Sequence, residues 1–419
     1  MNPTRPVNRP LLIGLWLLLL LTAAIRPCLG SPMELNNEAV VLLNRQAPLA
    51  ALPKLLAADQ ALPDNPVIRK NLAECYFQLG VDQLQTGNYE QAVENFFQGK
   101  SYGKEDPRFW VYSGIALRKA GHSGAAETEF NEALTLADDN PVILYLLGEL
   151  YYATGELYRA RQVLEDAAAA APAEERIQAL LEKVKRELPV EEGMSRAQGG
   201  NFSVSCDGQL SAELAERILA VLEEAYNELG SEFDYYPQVQ IPVLIYSPGD
   251  YTDLTDAPSW SAGVYDGKIR LPIAGLGRLS APFKAALYHE YSHVLVHFLA
   301  RNRAPVWLNE GLAEIAGRRW FVPPHSRQPL SVLDWSRLNH SFQDLTDTQI
   351  RGAYEQSYSF VSYLIDRYGR HLLNDLLIAA GRTTDFASAV KEVYGVYQLN
   401  LEELRQEWQR QAVHDGQLH

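Results

Sequence analysis

Cysteine is scarce in this chain: three in 419 residues, Cys28, Cys75 and Cys206. A disulfide framework is thereby excluded, and Cys75 and Cys206, far apart in the sequence, are expected to serve as buried small hydrophobes. Excess positive charge is missing as well. Lys and Arg number 37 against 52 Asp and Glu, a net charge of −15, which argues against binding nucleic acid or an anionic membrane by electrostatics and mildly favours neutral or basic partners. A run long enough to span a membrane is also missing. The apolar stretch Leu11 to Ile25 has fifteen residues, short of the roughly 20 a spanning helix needs.

That stretch follows Arg5 and Arg9 and precedes Arg26-Pro27-Cys28-Leu29-Gly30-Ser31, a small-residue cleavage site after Gly30. Residues 1–30 therefore read as a secretory signal peptide, and the protein as secreted, periplasmic or otherwise in the cell envelope. An uncleaved segment anchoring the chain to a membrane is the second reading. Lipid attachment at Cys28 is discounted, because Arg26 and Pro27 stand where a lipobox takes small or apolar residues. A hydrophobic share of 47 % over this length leaves room for two sizeable cores.

The first half repeats itself. Gly80, Gly114 and Gly148 are spaced by 34, as are Gly87, Gly121 and Gly155, then Ala92, Ala126 and Ala160, with Pro107 and Pro141 at the junctions. A period of 34 with small residues where two helices touch is the tetratricopeptide signature. Three repeats cover about 73 to 174, with a divergent leading repeat from Leu35 and a closing helix from Glu175 to Leu188. Residues 31–188 are thus expected to form an all-α solenoid whose concave surface binds a protein or peptide partner. Residues 189–201, with Gly193, Gly199 and Gly200, are expected to be a linker, and 202–419 a second domain.

That second domain carries His289-Glu290-Tyr291-Ser292-His293. Residues four apart on a helix lie about 40° apart around the axis and about 6 Å along it, so both imidazoles can reach one ion. Glu290 follows one step round, placed to act as general base toward a water on that ion and then as proton donor to a leaving amine. Ser280 and Pro282 mark the N-terminus of the helix, and Arg301-Asn302-Arg303-Ala304-Pro305 ends it. A second helix from Val306 carries Glu310 and Glu314 on one face, and the short connection makes the two helices antiparallel neighbours. One of those glutamates can close a two-histidine, one-glutamate Zn2+ site.

The run Trp307-Leu308-Asn309-Glu310-Gly311 after HExxH resembles the gluzincin metallopeptidases, in particular the aminopeptidase-N-like branch and the small peptidase MA-like domains. The resemblance implies Glu310 as third zinc ligand and Glu314 as a residue that orients a zinc-bound histidine, as in thermolysin-like relatives. The segment Ala353 to Val361 is similar to the aminopeptidase stretch whose tyrosine stabilises the oxyanion, which implies that role for Tyr354, with Tyr358 as competitor. A GxMEN-type strand that anchors a free amino terminus is not visible, so cleavage inside a peptide stays open beside cleavage at its end. The metzincin pattern fails, since Val296 stands where its glycine would be.

Upstream of the motif, Ala212 to Leu229 is expected to be an amphipathic helix, Gln240 to Tyr246 a strand, and Gly263 to Pro272 a hairpin turning at Asp266-Gly267. Downstream, helices broken near Gly369, Gly381 and Gly395 are expected. The fold expected is a multidomain one, an all-α tetratricopeptide solenoid followed by an α+β zincin-like metallopeptidase domain with a helical C-terminal half. His297 extends the four-residue spacing but lies a turn beyond the site, and it, His325, His340 and His371 are given structural or ordinary polar roles. An exported zinc metallopeptidase follows, taking a protein or peptide substrate. A catalytically inactive peptidase-like scaffold acting in envelope assembly is the rival.

Overall fold

The computed structural model describes residues 31–207, 212–255, 263–265, 267–273, 279–323, 332–342, 345–383 and 385–414. The signal-like residues 1–30, Asp266 and His325 lie outside them. Among the described residues no helix is long and apolar enough to cross a membrane. The chain divides into two compact units, residues 1–83 with 91–109, and residues 84–90 with 110–419.

Helix pairs fill the first half of the sequence: α1 (Pro32–Asn44), α2 (Pro48–Ala61), α3 (Pro66–Thr86), α4 (Tyr89–Gly103), α5 (Pro107–Lys119), α6 (Ser123–Leu136), α7 (Pro141–Ala153), α8 (Leu157–Ala170) and α9 (Glu175–Glu192). Prolines open five of these helices because φ is preset there and no amide is lost. The 34-residue period has a physical basis in the packing. In the first unit Gly80 of α3 accepts the Phe96 ring of α4 at van der Waals range, and in the second unit Gly148 of α7 accepts Leu164 of α8. Cys75 and Cys206 are buried free thiols, and burial pushes the pKa of both up to about 12.

The rest of the second unit is built on a five-stranded mixed sheet: β1 (Ser195–Gln198), β2 (Phe202–Cys206), β3 (Ile241–Tyr246), β4 (Val264–Tyr265) and β5 (Ile269–Pro272). Their order is β1-β2-β3-β5-β4, with β2, β3 and β5 parallel and the two edges antiparallel. Helix α10 (Ala212–Phe233) links β2 to β3, and α11 (Pro248–Thr255) follows β3. After the sheet come α12 (Ala281–Ala300), α13 (Val306–Arg318), α14 (Trp335–Leu338), α15 (Asp347–Tyr368), α16 (Arg370–Arg382), α17 (Phe386–Tyr394) and α18 (Leu401–His414). The expected breaks fall where they should, with Gly369 at a φ of 89° between α15 and α16.

Strand alternation sorts the two faces of the sheet. Val243, Ile245, Ile269 and Leu271 enter the main core with α10 and α12, while Leu244 and Tyr246 pack with Met194 and the α11 residues Tyr251 and Leu254. This leaves Arg270 of β5, and Lys268 just before the strand, on the second side, both 1 % exposed. Glu187 of α9 meets them there: Arg270 Nη2 stands 3.1 Å from its carboxylate and donates to Tyr152 Oη of α7 at 2.7 Å, while Nη1 donates to Tyr246 Oη at 2.6 Å. Lys268 lies 3.5 Å from Glu191.

This cluster corrects one expectation. Residues 189–201 are not a linker: Pro189 lies inside α9, whose end is held by the buried charges, and Ser195–Gln198 pairs antiparallel with Ser203–Cys206 as the edge of the sheet. The composition of the segment is that of a loop, but hydrogen bonds to β2 and burial of Ala197 outweigh it.

Candidate metal centre

Helix α12 begins as its sequence dictates. Ser280 caps it, accepting from the Phe283 amide at 3.3 Å, and Arg301 ends it in the left-handed region with φ 50°. Because α12 is buried on most of its surface, its polar residues gather along one strip, where His289 and His293 face α13. Candidate ligand atoms of His289, Glu290 and His293 all lie within 4.8 Å of one another. Helix α13 adds Glu310, whose Oε2 stands 3.4 Å from His289 Nε2 and 3.6 Å from His293 Nε2. Gly311, next in sequence, lets α13 pack closely on α15: a Cβ there would lie 2.6 Å from the Ser357 carbonyl oxygen.

Glu314 Oε1 lies 3.6 Å from His289 Nδ1, at ion-pair rather than hydrogen-bond distance. The carboxylate is itself held, since Arg318 Nε donates to Glu314 Oε2 at 2.8 Å while its two terminal nitrogens grip Glu355 of α15 at 3.0 and 2.6 Å. On the other imidazole, His293 Nδ1 meets Asn309 Oδ1 at 3.0 Å. Sequence reasoning missed Asn309, Arg318 and Glu355. Asn309 sits in the quoted motif beside Glu310; Glu355 is remote in sequence and leaves no local signal.

Burial pulls the His289 imidazole down, but contact with Glu310 and the charges of Glu290 and Glu314 outweigh it and hold its pKa up at about 9. Burial raises the Glu290 carboxyl above its ordinary range. For Glu310 burial acts the same way, and the two histidines overcome it and lower the group. Among the described residues, Oε2 of Glu290 and Oε2 of Glu310 are buried without a hydrogen-bond partner. Two buried carboxylate oxygens left unmet beside two imidazoles are costly unless a cation completes them. Tetrahedral zinc with ligands at 2.0–2.1 Å sets them about 3.3 Å apart, close to the 3.4 and 3.6 Å separations around Glu310. The donor set, two nitrogens and one carboxylate with room beside them, fits that ion.

These residues line a cleft of about 1230 Å³. Tyr354 of α15 also lines it, its ring 6.4 Å from that of His289 and packed edge-on against Phe342. Burial, with the charges of Glu310, Glu290 and Glu314, raises its phenol well above the ordinary value, so it stays a proton donor. Tyr358 lies instead under the Arg318 guanidinium, 3.8 Å from its ring centre. His297 lines the cleft too, its Nδ1 2.7 Å from Asn302 Oδ1 and its ring edge-on to Tyr265 of β4. Strand β4 is the sheet edge beside the site, and at Gly263 a Cβ would come within 2.5 Å of Glu290 Oε1. His340 and His371 are exposed.

A Tetratricopeptide repeat model matches residues 117–184, and a Peptidase MA superfamily model matches residues 233–414. The uncharacterized protein YhcO of Bacillus subtilis is 26 % identical over 118 residues, covering 26 % of this chain and 36 % of that protein, so the match spans about a third of the relative's length. Among solved structures, the first tetratricopeptide domain of Spaghetti (RPAP3), bound to an HSP90 peptide, aligns at 19 % identity over 28 % of this chain and 93 % of its own, with a TM-score of 0.27. A thermophilic tetratricopeptide protein of Thermus thermophilus aligns at 21 % identity over 41 % of this chain and 94 % of its own, with a TM-score of 0.26. The chain thus carries a tetratricopeptide repeat followed by a Peptidase MA superfamily domain.

Proposed function

We propose that this protein is an exported zinc-dependent peptidase that hydrolyses peptide bonds, with its repeats recruiting protein or peptide partners. The observation that carries the reading is the convergence of His289, His293 and Glu310 on one point, with the unmet oxygen of Glu290 beside it. Zinc held by His289, His293 and Glu310 would supply a Lewis acid for the scissile carbonyl and make a water acidic near neutral pH. Glu290 takes the proton of the attacking water and passes it to the leaving amine; its buried, raised carboxyl suits an acid–base that must return the proton. Tyr354 donates from its phenol to the oxygen that becomes negative. Asn309 holds the His293 imidazole by its second nitrogen, and Glu314 faces that of His289 at 3.6 Å, near enough to orient it by charge. Strand β4, at the edge of the sheet, offers backbone groups to an extended peptide. The signal-like residues 1–30 support export.

Two measurements test this. Metal analysis of protein starting at Ser31 is expected to find about one zinc per chain, lost in His293→Ala. Glu290→Gln is expected to abolish peptide cleavage while leaving fold and zinc intact; an unchanged cleavage rate would sink the enzyme reading.

A further inference from the structure

Four acidic side chains enter the cleft. Glu290, Glu310, Glu314 and Asp347 line it. Its lining residues that carry or can gain positive charge, apart from the two histidines of the HExxH motif, are His297, Arg318 and Arg351. Two of these are engaged: Arg318 donates to Glu314 and to both oxygens of Glu355, and His297 Nδ1 meets Asn302 Oδ1. Arg351 differs. It is exposed on α15, and among the described residues it makes no hydrogen bond or ion pair, not even to Asp347 one turn before it.

We infer that Arg351 is the anion-binding residue of this cleft, and that the peptide bound there carries a carboxylate close to the scissile bond. The inference rests on the peptidase reading of the same cleft. A guanidinium is a planar fork matched to a carboxylate, and one left unpaired among acidic neighbours is available to a ligand rather than used in the fold. Position sets the register. Arg351 precedes Tyr354 by three residues on α15, hence on the same helix face and about 4.5 Å along the axis. Tyr354 faces His289, so a carboxylate on Arg351 falls within about two extended residues of the reacting carbonyl. An acidic side chain and a free C-terminal carboxylate present the same chemistry at that distance.

The test uses zinc-loaded protein from Ser31 to His419 carrying Glu290→Gln, so that bound peptide is not consumed. Fluorescence anisotropy is read for one labelled neutral peptide, for versions with Glu in place of Gln at each position in turn, and for each of these with free and amidated C-terminus. At least one carboxylate form is expected to bind about 10-fold or more tighter than its neutral counterpart, as for hydrogen bonds to a charged group. A Glu position identifies a side-chain source, and the free acid identifies the terminus. The preference is expected to vanish with Arg351→Gln and to survive in part with Arg351→Lys. Equal binding of all forms, no binding of any, or a preference that persists in Arg351→Gln would each overturn the inference. Cleavage of the same peptides by wild-type protein separates the two readings. Cleavage without any carboxylate preference in binding leaves the peptidase reading standing and removes this one; a preference in binding without cleavage keeps Arg351 as an anion-binding residue and removes its placement beside a scissile bond.

Discussion

At the scale of single residues the site is layered, and the outer layer is testable. Asn309 meets the site through His293 Nδ1, so its effect must pass through that ring. Asn309→Ala is expected to weaken zinc binding by about 10- to 100-fold, read by competition with a chromogenic chelator. An affinity unchanged by the substitution would show that the ring needs no such partner. Tyr354 makes a sharper contrast, because its proposed work is confined to the reaction. Tyr354→Phe is expected to lower kcat by about 10²- to 10³-fold with zinc content intact, the loss typical of one oxyanion donor. Were KM to rise instead with kcat preserved, the phenol would be a packing group.

Among elements, the decisive contact is α13 lying close to α12 on one side and α15 on the other. Gly311→Ala would push a methyl to 2.6 Å from the Ser357 carbonyl oxygen, and backbone cannot step aside as a side chain can. A loss of about 1–3 kcal/mol in urea denaturation is expected, with zinc affinity reduced as Glu310 moves. Glu232 fastens another junction, its two oxygens taking Arg319 at 2.7 and 2.8 Å and Arg370 at 2.7 Å. Burial works against its ionisation, but the arginines win and its folded pKa lies below the ordinary 4.5. A depressed carboxyl contributes stability above its unfolded pKa and forfeits it as pH falls through the folded value. The melting temperature is therefore expected to drop on acidification below about pH 4.5, and Glu232→Gln to flatten that part of the profile. Because the pair is one-third exposed, the effect is modest and salt-sensitive.

These elements were unequally visible in the sequence. The α12 motif was legible because its geometry is local to five residues, and the repeats because the period recurs. Strands β1 and β2 were not: Ser195–Gln198 has no apolar alternation, and its partner Phe202–Cys206 is short enough to pass for the start of the next domain. The burial of Lys268 and Arg270 was not legible in their strand, since nothing nearby in sequence announces that Glu187 and Glu191 cover them. Arg318 and Glu355 escaped notice for the same reason, their meeting being a product of helix packing.

For the molecule as a whole, that cluster ties α9 and β1 to the sheet that follows them. A chain starting at residue 202 would lack α9 and β1, exposing an edge of β2 and leaving Lys268 and Arg270 uncompensated on a buried face. Such a truncation is expected to express as aggregated or non-cooperatively melting protein, whereas one that keeps Pro141 onward retains Tyr152, Glu187 and Glu191. Cooperative unfolding of 202–419 at the full chain's temperature would refute this. Glu187→Ala is expected to cost about 3–5 kcal/mol, as for other half-broken buried ion pairs, in the same denaturation experiment.

The charges beneath β5 also constrain how this protein can change over generations. Loss of any one member strands its partner in a dry interior, so Glu187, Glu191, Lys268 and Arg270 form a set that drifts together or stands still. His289, His293 and Glu310 keep 11 to 18 % of their side-chain surface exposed, so the fold holds them less tightly than it holds those four. In a saturation library selected only for folded protein, the four buried charges are expected to tolerate fewer replacements than the partly exposed His289 and His293. Selection for function would then be legible as the difference between those two records.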